Sequence, residues 1–293
     1  MAMVRRGLHL RFRKKVVQIS ASRVLLYIFI GALVCFTALP LIYVVVTAFK
    51  PIDELLKFPP QFIVKKPTLQ SFKDLVVAAS SSSVPFLRNV VNSIFIAVSN
   101  VLLTIVVASM GAYSMAKMQL PLKKQIFSLV VAAMMFPATV LTIPTYMIVD
   151  GLGMINTYWA LIVPKVAGAF NFFMMKQFCE QIPIPILEAA RIDGATELRI
   201  FRSIVFPFLS PAIATLVVFS FTGIWNDGSG DLIYITNEAM RTLPTAISSI
   251  ATGGLSRSGA MTAATFIMTT PTIIIYTLMQ RRVIETMAHS GIK

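Results

Sequence analysis

Within a chain that is mostly apolar, two sets of residues have the chemistry to do something specific. The first is the run Ile184-Pro185-Ile186-Leu187-Glu188-Ala189-Ala190-Arg191-Ile192-Asp193-Gly194-Ala195-Thr196-Glu197. The small Ala189 and Ala190 in it allow close approach by another surface. Pro183 and Pro185 end the preceding segment and are tolerated in the first turn of a new helix. Leu187, Ala190 and Arg191 then share a face at three- and four-residue spacing. Gly194 breaks or turns that helix, and Thr196-Glu197 can start a second short one. The residues alone fit an amphipathic helix lying at a membrane interface as readily as they fit a docking helix.

The second set consists of polar groups inside apolar stretches: Asn92, Asn100, Asn171 and, above all, Lys165. A charge at membrane depth costs about 2 to 3 kcal/mol unless it finds water or a partner. Either the long stem of Lys165 snorkels to the nearer interface, or Pro164 bends the helix and the ammonium faces a polar passage, where it favours an acidic ligand. Other chemistries find no support. There is no G-x-x-x-x-G-K-[ST] phosphate loop, so ATP is not expected to bind here. His9 and His289 lie in opposite tails, and Cys35 and Cys179 have neither metal-ligand nor redox spacing. No nucleophile–base pair, metal-ligand set or carboxylate pair is recognisable, so neither catalysis nor a cofactor is expected in this chain.

The elements carrying these residues are set by composition. Of the 293 residues, 56% are hydrophobic and 13% charged, where a soluble domain has about 25% charged residues. The mean hydropathy is +0.78. A helix needs roughly 20 apolar residues to cross a bilayer. Five charge-free stretches meet that length: Val24 to Phe49, Asn89 to Ala116, Gln125 to Val149, Ile204 to Asn226 and Ser258 to Gln280. A sixth, Asn156 to Met175, is interrupted only by Lys165. The expected class is all-α, a polytopic membrane protein with six transmembrane helices in contact with lipid. Barrel strands would alternate in polarity. The basic start around Arg5-Arg6 precedes an apolar run too long for a signal peptide, so that run is expected to stay as a span.

Six spans place both termini on one side. The N-terminus, the C-terminus and the segments after the second and fourth stretches hold 17 of the 26 Lys and Arg, which makes that side cytoplasmic. Basic residues at span ends account for the net charge of +14 as topology rather than nucleic-acid binding. The domains expected are a basic segment 1–23, a six-span membrane domain 24–280 and a polar tail 281–293. External segments cover about 50–88 and 227–257, where Pro59-Pro60 and Ser80 to Ser83 read as turns and exposed loop.

Glu188-Ala-Ala with Asp193-Gly194-Ala195, followed by Phe201, Ile204, Pro207 and Pro211, resembles the EAA loop of binding-protein-dependent importer permeases. Thr47-Ala48-Phe49-Lys50-Pro51, Asn92-Ser93, Ile143-Pro144-Thr145-Tyr146, Leu152 to Thr157, Ala169-Phe170-Asn171 and Trp225-Asn226-Asp227 are similar to the maltose-type sugar permeases, in order and over nearly the whole chain after about residue 23. Gly228-Ser229-Gly230-Asp231 departs from the bulkier apolar residues of many relatives, which makes this segment more flexible and more acidic; it looks like the oligosaccharide and polysaccharide branch that includes alginate importers.

The resemblance implies an ATP-driven importer of sugars or oligosaccharides in a bacterial inner membrane. Its parts would be this chain, a second permease, two copies of a cytoplasmic ATPase that hold ATP and Mg, and an external sugar-binding protein. Residues 183–203 would form the coupling loop, with Glu188, Ala189, Ala190, Asp193 and Gly194 against the ATPase. Lys165, Asn92, Asn171, Trp225 and Asn226 would line the substrate pathway. Asp227, Gly228, Gly230 and Asp231 would meet the binding protein, and the tail would reach the ATPases or simply anchor the last span. The alternative class, a secondary transporter or channel subunit, lacks an explanation for the EAA segment.

Overall fold

A computed structural model describes residues 21–59, 61–80, 84–251 and 257–291, and among these every regular element is helical. The contacts divide the chain into two units, one ending at Val45 and the other beginning at Val46. The first is most of α1 (Ala21–Ala48), which carries Pro40. Its apolar stretch Val24–Ala48 has 25 residues, enough at about 1.5 Å per residue to exceed a hydrocarbon core of about 30 Å.

The second unit begins with α2 (Ile52–Leu55), α3 (Gln70–Ser80) and α4 (Phe86–Lys117), then α5 (Lys123–Ala133), α6 (Ala138–Gly151), α7 (Tyr158–Val166) and α8 (Ala169–Glu180). It continues through α9 (Ile184–Ile192), α10 (Glu197–Ile200), a π-turn (Phe201–Val205), α11 (Phe206–Phe208), α12 (Ser210–Trp225), α13 (Ser229–Tyr234), α14 (Leu243–Ala251) and α15 (Ser258–Gly291). The central element is α4. Its buried side is Asn89, Asn92, Ser93, Ile96, Ala97, Asn100, Thr104, Ala108 and Ala112, recurring every three or four residues. Its outer side is Val91, Ile94, Phe95, Val98, Leu102 and Val106. Small and polar residues inside with branched apolar residues outside invert the pattern of a soluble helix, as expected where lipid is the solvent and close approach drives packing. Helices α7, α8 and α12 pack on that inner side, and α15 packs on α12 and α3.

Three of the expected spans, Val24–Ala48, Phe86–Lys117 and Ser258–Ile284, are single helices. The other three are bent pairs, each long and apolar enough to count as one span. Helices α5 and α6 meet at 114°, α7 and α8 at 42°, and the α10–α11 segment meets α12 at 75°. Proline explains two of the breaks, since it lacks an N–H and disfavours helix in the residue before it: Pro137 stands at the N-cap of α6, and Pro207 and Pro211 flank the last break. Gly168 stands at the third, as the N-cap of α8. Hydroxyls along the apolar helices donate to carbonyls three or four residues back, as Ser109 does to Ile105 and Thr277 to Ile273, which satisfies them without water.

Two boundaries differ from expectation. Segment 50–88 contains α3, whose Leu75 is buried with Ala260, Ala263 and Ala264 of α15, so it is a packed element as well as loop; Pro60 and Ser81 to Ser83, expected as turn and loop, lie outside the described residues. The last helix does not end at Gln280 but runs to Gly291.

Candidate functional site

Two places in the second unit bring reactive groups together. In the first, Lys165 stands in the last turn of α7, and its Nζ donates to Oδ2 of Asp227 at 2.5 Å. The other carboxylate oxygen of Asp227 accepts from the backbone N–H of Ser229 at 2.8 Å and from its hydroxyl. Burial pushes the Asp227 carboxyl upward, but the hydrogen bonds from Lys165 and Ser229 outweigh it and hold the group below the usual carboxylate range. Both partners are about one third exposed, with side-chain values of 32% and 29%. Lys165 is not a lone ammonium; it is a half-buried member of an ion pair.

That pair borders a cavity of about 410 Å³ lined by Asn100, Lys165, Phe170, Asn171, Phe219 and Ser220. The Asn171 amide donates to Ser220 Oγ at 3.3 Å, and the Asn100 amide to the Ile162 carbonyl at 3.1 Å. The rings of Phe170 and Phe219 meet edge to face at 5.8 Å. Amides, a hydroxyl, an ammonium and two aromatic faces around one space can hold a small polar ligand with apolar faces.

The second place is built on α9. Leu187 is buried in a cluster with Ala112, Met175, Ile200 and Val205, and Ala190 and Ala195 pack against it. Glu188, Ala189, Asp193 and Gly194 are exposed, and Ile192 is 86% exposed. Gly194 takes φ +78°, a left-handed conformation that costs glycine little, and so turns the chain after α9. The Thr196 hydroxyl accepts from Arg199 N at 3.4 Å as the cap of α10. Glu197 then joins three elements: its Oε1 accepts from Arg191 Nε at 2.8 Å, and its Oε2 from the Tyr113 hydroxyl of α4 at 2.5 Å.

Residues 101–288, which hold both places except for Asn100, match the family described as the binding-protein-dependent transport system inner membrane component. The chain belongs to that family. It is 31% identical over 285 residues to Protein LplC of Bacillus subtilis, covering 91% of this chain and 92% of the relative. It is 27% identical over 276 residues to the arabinooligosaccharides transport system permease protein AraQ of the same organism, covering 94% and 98%. Its fold is similar to a solved bacterial ABC transporter involved in the import of the acidic polysaccharide alginate, with a TM-score of 0.76, 20% identity and coverage of 89% and 98%. The protein is therefore an all-α permease component of a transport system.

Within this permease, the residues expected along a pathway separate. Lys165 and Asn171 meet at the cavity. Asn92 does not: its amide donates to the carbonyls of Ala239 and Arg241 at 2.9 Å each, and its oxygen accepts from the Tyr158 hydroxyl at 2.9 Å. Trp225 is buried, stacked on Phe221, with its indole N–H on the Met268 carbonyl at 2.9 Å. Asn226 is exposed and bonds back to the Thr222 carbonyl of its own helix. Asn92 and Trp225 brace helices rather than line a passage.

The glycine–aspartate segment is also corrected. Asp231 is only 2% exposed and accepts from the backbone N–H and hydroxyl of Thr242 and from the Thr245 hydroxyl. A Cβ on Gly228 would lie 3.1 Å from Thr245 Oγ1, and one on Gly230 would lie 3.0 Å from Leu161 Cδ2. These glycines serve close packing, and Asp231 organises the segment from within. Sequence inspection missed Phe219, Ser220 and Tyr113, and it named Phe170 and Glu197 without the contacts they make; the only signal for Ser220 was a polar residue in an apolar run.

Proposed function

We propose that this chain is one of two unlike permease subunits of an ATP-driven, binding-protein-dependent importer of sugars or oligosaccharides in a bacterial inner membrane. Both termini face the cytoplasm, where most basic residues lie. Two copies of a separate ATPase carry ATP and Mg, and a sugar-binding protein docks on the far side. The observation that carries this reading is α9, whose Leu187 is buried while Glu188, Ala189 and Ile192 face outward beside Gly194. Such a small, partly apolar, acidic surface on a water-side helix suits a protein partner rather than lipid. Carbohydrate cargo is supported by the names of relatives, arabinooligosaccharides in one and the acidic polysaccharide alginate in another, and by the amide, hydroxyl and aromatic lining at Lys165.

Closure of the ATPases around ATP moves α9, and Glu197 passes that motion to α4 through Tyr113. Cargo and nucleotide act by favouring one of two arrangements of the helices. The external segment 227–257 receives the binding protein through exposed residues such as Leu232 and Asn237, not through the buried Asp231 and Gly230. Co-expression with a cognate ATPase, second permease and binding protein, followed by reconstitution in vesicles, tests the reading. Sugar uptake and binding-protein-stimulated ATP hydrolysis are expected; uptake by this chain alone, without nucleotide, would overturn it.

A further inference from the structure

Segment 227–257 contains two basic residues, Arg241 and Arg257, and both line one cavity of about 250 Å³ beside the start of α4. This cavity shares no lining residue with the one at Lys165. Its only carboxylate among the described lining residues is Glu238, whose Oε1 lies 3.4 Å from the Arg241 guanidinium on a side chain 52% exposed; a contact so long and so exposed neutralises little. Among the described residues no carboxylate pairs with Arg257. Two guanidiniums thus face one space with a surplus of positive charge, and a guanidinium is the side chain best shaped for a carboxylate.

The rest of the lining narrows the ligand. Asn89 is 7% exposed and its Oδ1 has no donor. The Thr245 hydroxyl donates to Asp231 at 2.9 Å. A hydroxyl whose proton is committed in this way keeps a lone pair for an incoming donor. A bare anion would use the arginines and leave these acceptors idle, whereas a hydroxylated carboxylate engages both. We infer that this cavity is an outer subsite for a sugar acid, its carboxylate held by Arg241 and Arg257 and its hydroxyls by Asn89 and Thr245. The inference rests on the proposed orientation and carbohydrate cargo, and it names acidic sugars as the class.

The test is direct binding to the whole transporter complex in lipid nanodiscs, without the binding protein, using galacturonate, galactose and acetate as probes. Galacturonate is expected to bind at least about ten-fold more tightly than galactose or acetate, and Arg241→Gln and Arg257→Gln are each expected to weaken it about ten-fold. Arg241→Lys, which keeps the charge and loses the fork, and Asn89→Ala, which touches no charge, are expected to weaken it by about three-fold and provide the test if the glutamine variants fold poorly. Lys57→Met, at an exposed position outside both cavities, is expected to leave this affinity unchanged. Equal binding of galacturonate and galactose, equal binding of galacturonate and acetate, or an affinity indifferent to every cavity variant overturns the inference. Binding-protein-stimulated ATP hydrolysis is measured on the same preparation. If it is intact while galacturonate fails to bind, this subsite is wrong and the importer reading stands; if it is absent while galacturonate binds, the reverse holds.

Discussion

The ammonium of Lys165 and the carboxylate of Asp227, 62 residues apart, meet at 2.5 Å and so tie the bend between α7 and α8 to the first residue of the external segment. Each charge is half-buried, so removing one leaves the other without a partner at a depth where that is costly. Lys165→Met and Asp227→Asn are each expected to destabilise the folded permease by about 1 to 2 kcal/mol, while the double variant loses less than the sum. Melting temperatures of the four proteins in one detergent close the cycle; strict additivity would mean that the pair contributes nothing.

The same pair makes a pH prediction. The folded Asp227 carboxyl lies below its unfolded value, so its contribution is complete above the unfolded pKa of about 3.9 and is lost as pH falls through the lower folded value. The stability gap between wild type and Asp227→Asn is expected to be flat from pH 8 to 5 and to narrow only below about pH 4. A gap that already closed between pH 7 and 6 would show that some other group titrates with the pair.

Ala189 and Ala190 are neighbours with opposite tasks. Ala189 is exposed on α9, whereas Ala190 packs toward Leu187. Ala190→Trp is expected to overpack that cluster and cost about 1 to 3 kcal/mol in the isolated permease. Ala189→Trp is expected to leave the isolated permease intact and instead reduce capture of the ATPase on copurification. If Ala189→Trp lowered the melting temperature as much as Ala190→Trp, the outward face would not be a docking face. Glu188→Ala tests the charge on that face, with an expected loss of about 1 to 3 kcal/mol of docking energy.

Much of the fold was legible because lipid demands long apolar runs, and proline and glycine mark where such runs break. Pro207, Pro211 and Gly194 carried that information locally. The size of a bend is not local: Pro144 lies inside α6, whereas Pro137 stands at a 114° break, and the packing of each segment decides between them. Partners were legible least. Periodicity identifies the buried side of α4, but it cannot say that Asn92 spends its hydrogen bonds on Ala239, Arg241 and Tyr158. The flexible, acidic reading of Gly228 to Asp231 failed for the same reason, since only the fold brings Thr242 and Thr245 to Asp231 and Leu161 to Gly230.

The external segment offers a direct test of docking. Leu232 is 74% exposed and Asn237 is exposed at the start of the turn Glu238–Met240, while the interior of the segment is held by Asp231 and by Asn156, whose Oδ1 accepts from the N–H groups of Thr236 and Asn237. Single cysteines at Leu232 and Asn237 are expected to cross-link to the binding protein during turnover, and a cysteine at buried Gly230 is not. Failure at both exposed positions would move docking to another part of the complex.

The last prediction concerns how motion at α9 reaches the membrane helices. Glu197 accepts from Arg191 of α9 on one oxygen and from Tyr113 of α4 on the other, so a displacement of α9 pulls on α4 through two charge-assisted bonds of about 1.5 to 3 kcal/mol each at most, less where water competes. The Arg191–Glu197 half is largely exposed, with side-chain values of 37% and 46%, and contributes little stability alone. Glu197→Gln keeps the shape and can still accept one bond, so the permease is expected to fold and to retain ATPase subunits. Tyr113→Phe removes only the hydroxyl. Both variants are expected to hydrolyse ATP in the assembled complex while moving about three- to ten-fold less sugar per ATP, because a weaker link transmits less of the difference between the two arrangements. The ratio of uptake to hydrolysis, measured in the same vesicles, decides. A purely structural role would lower both rates together and leave the ratio unchanged, and in that case Glu197 would be a cap on the loop rather than its connection to α4.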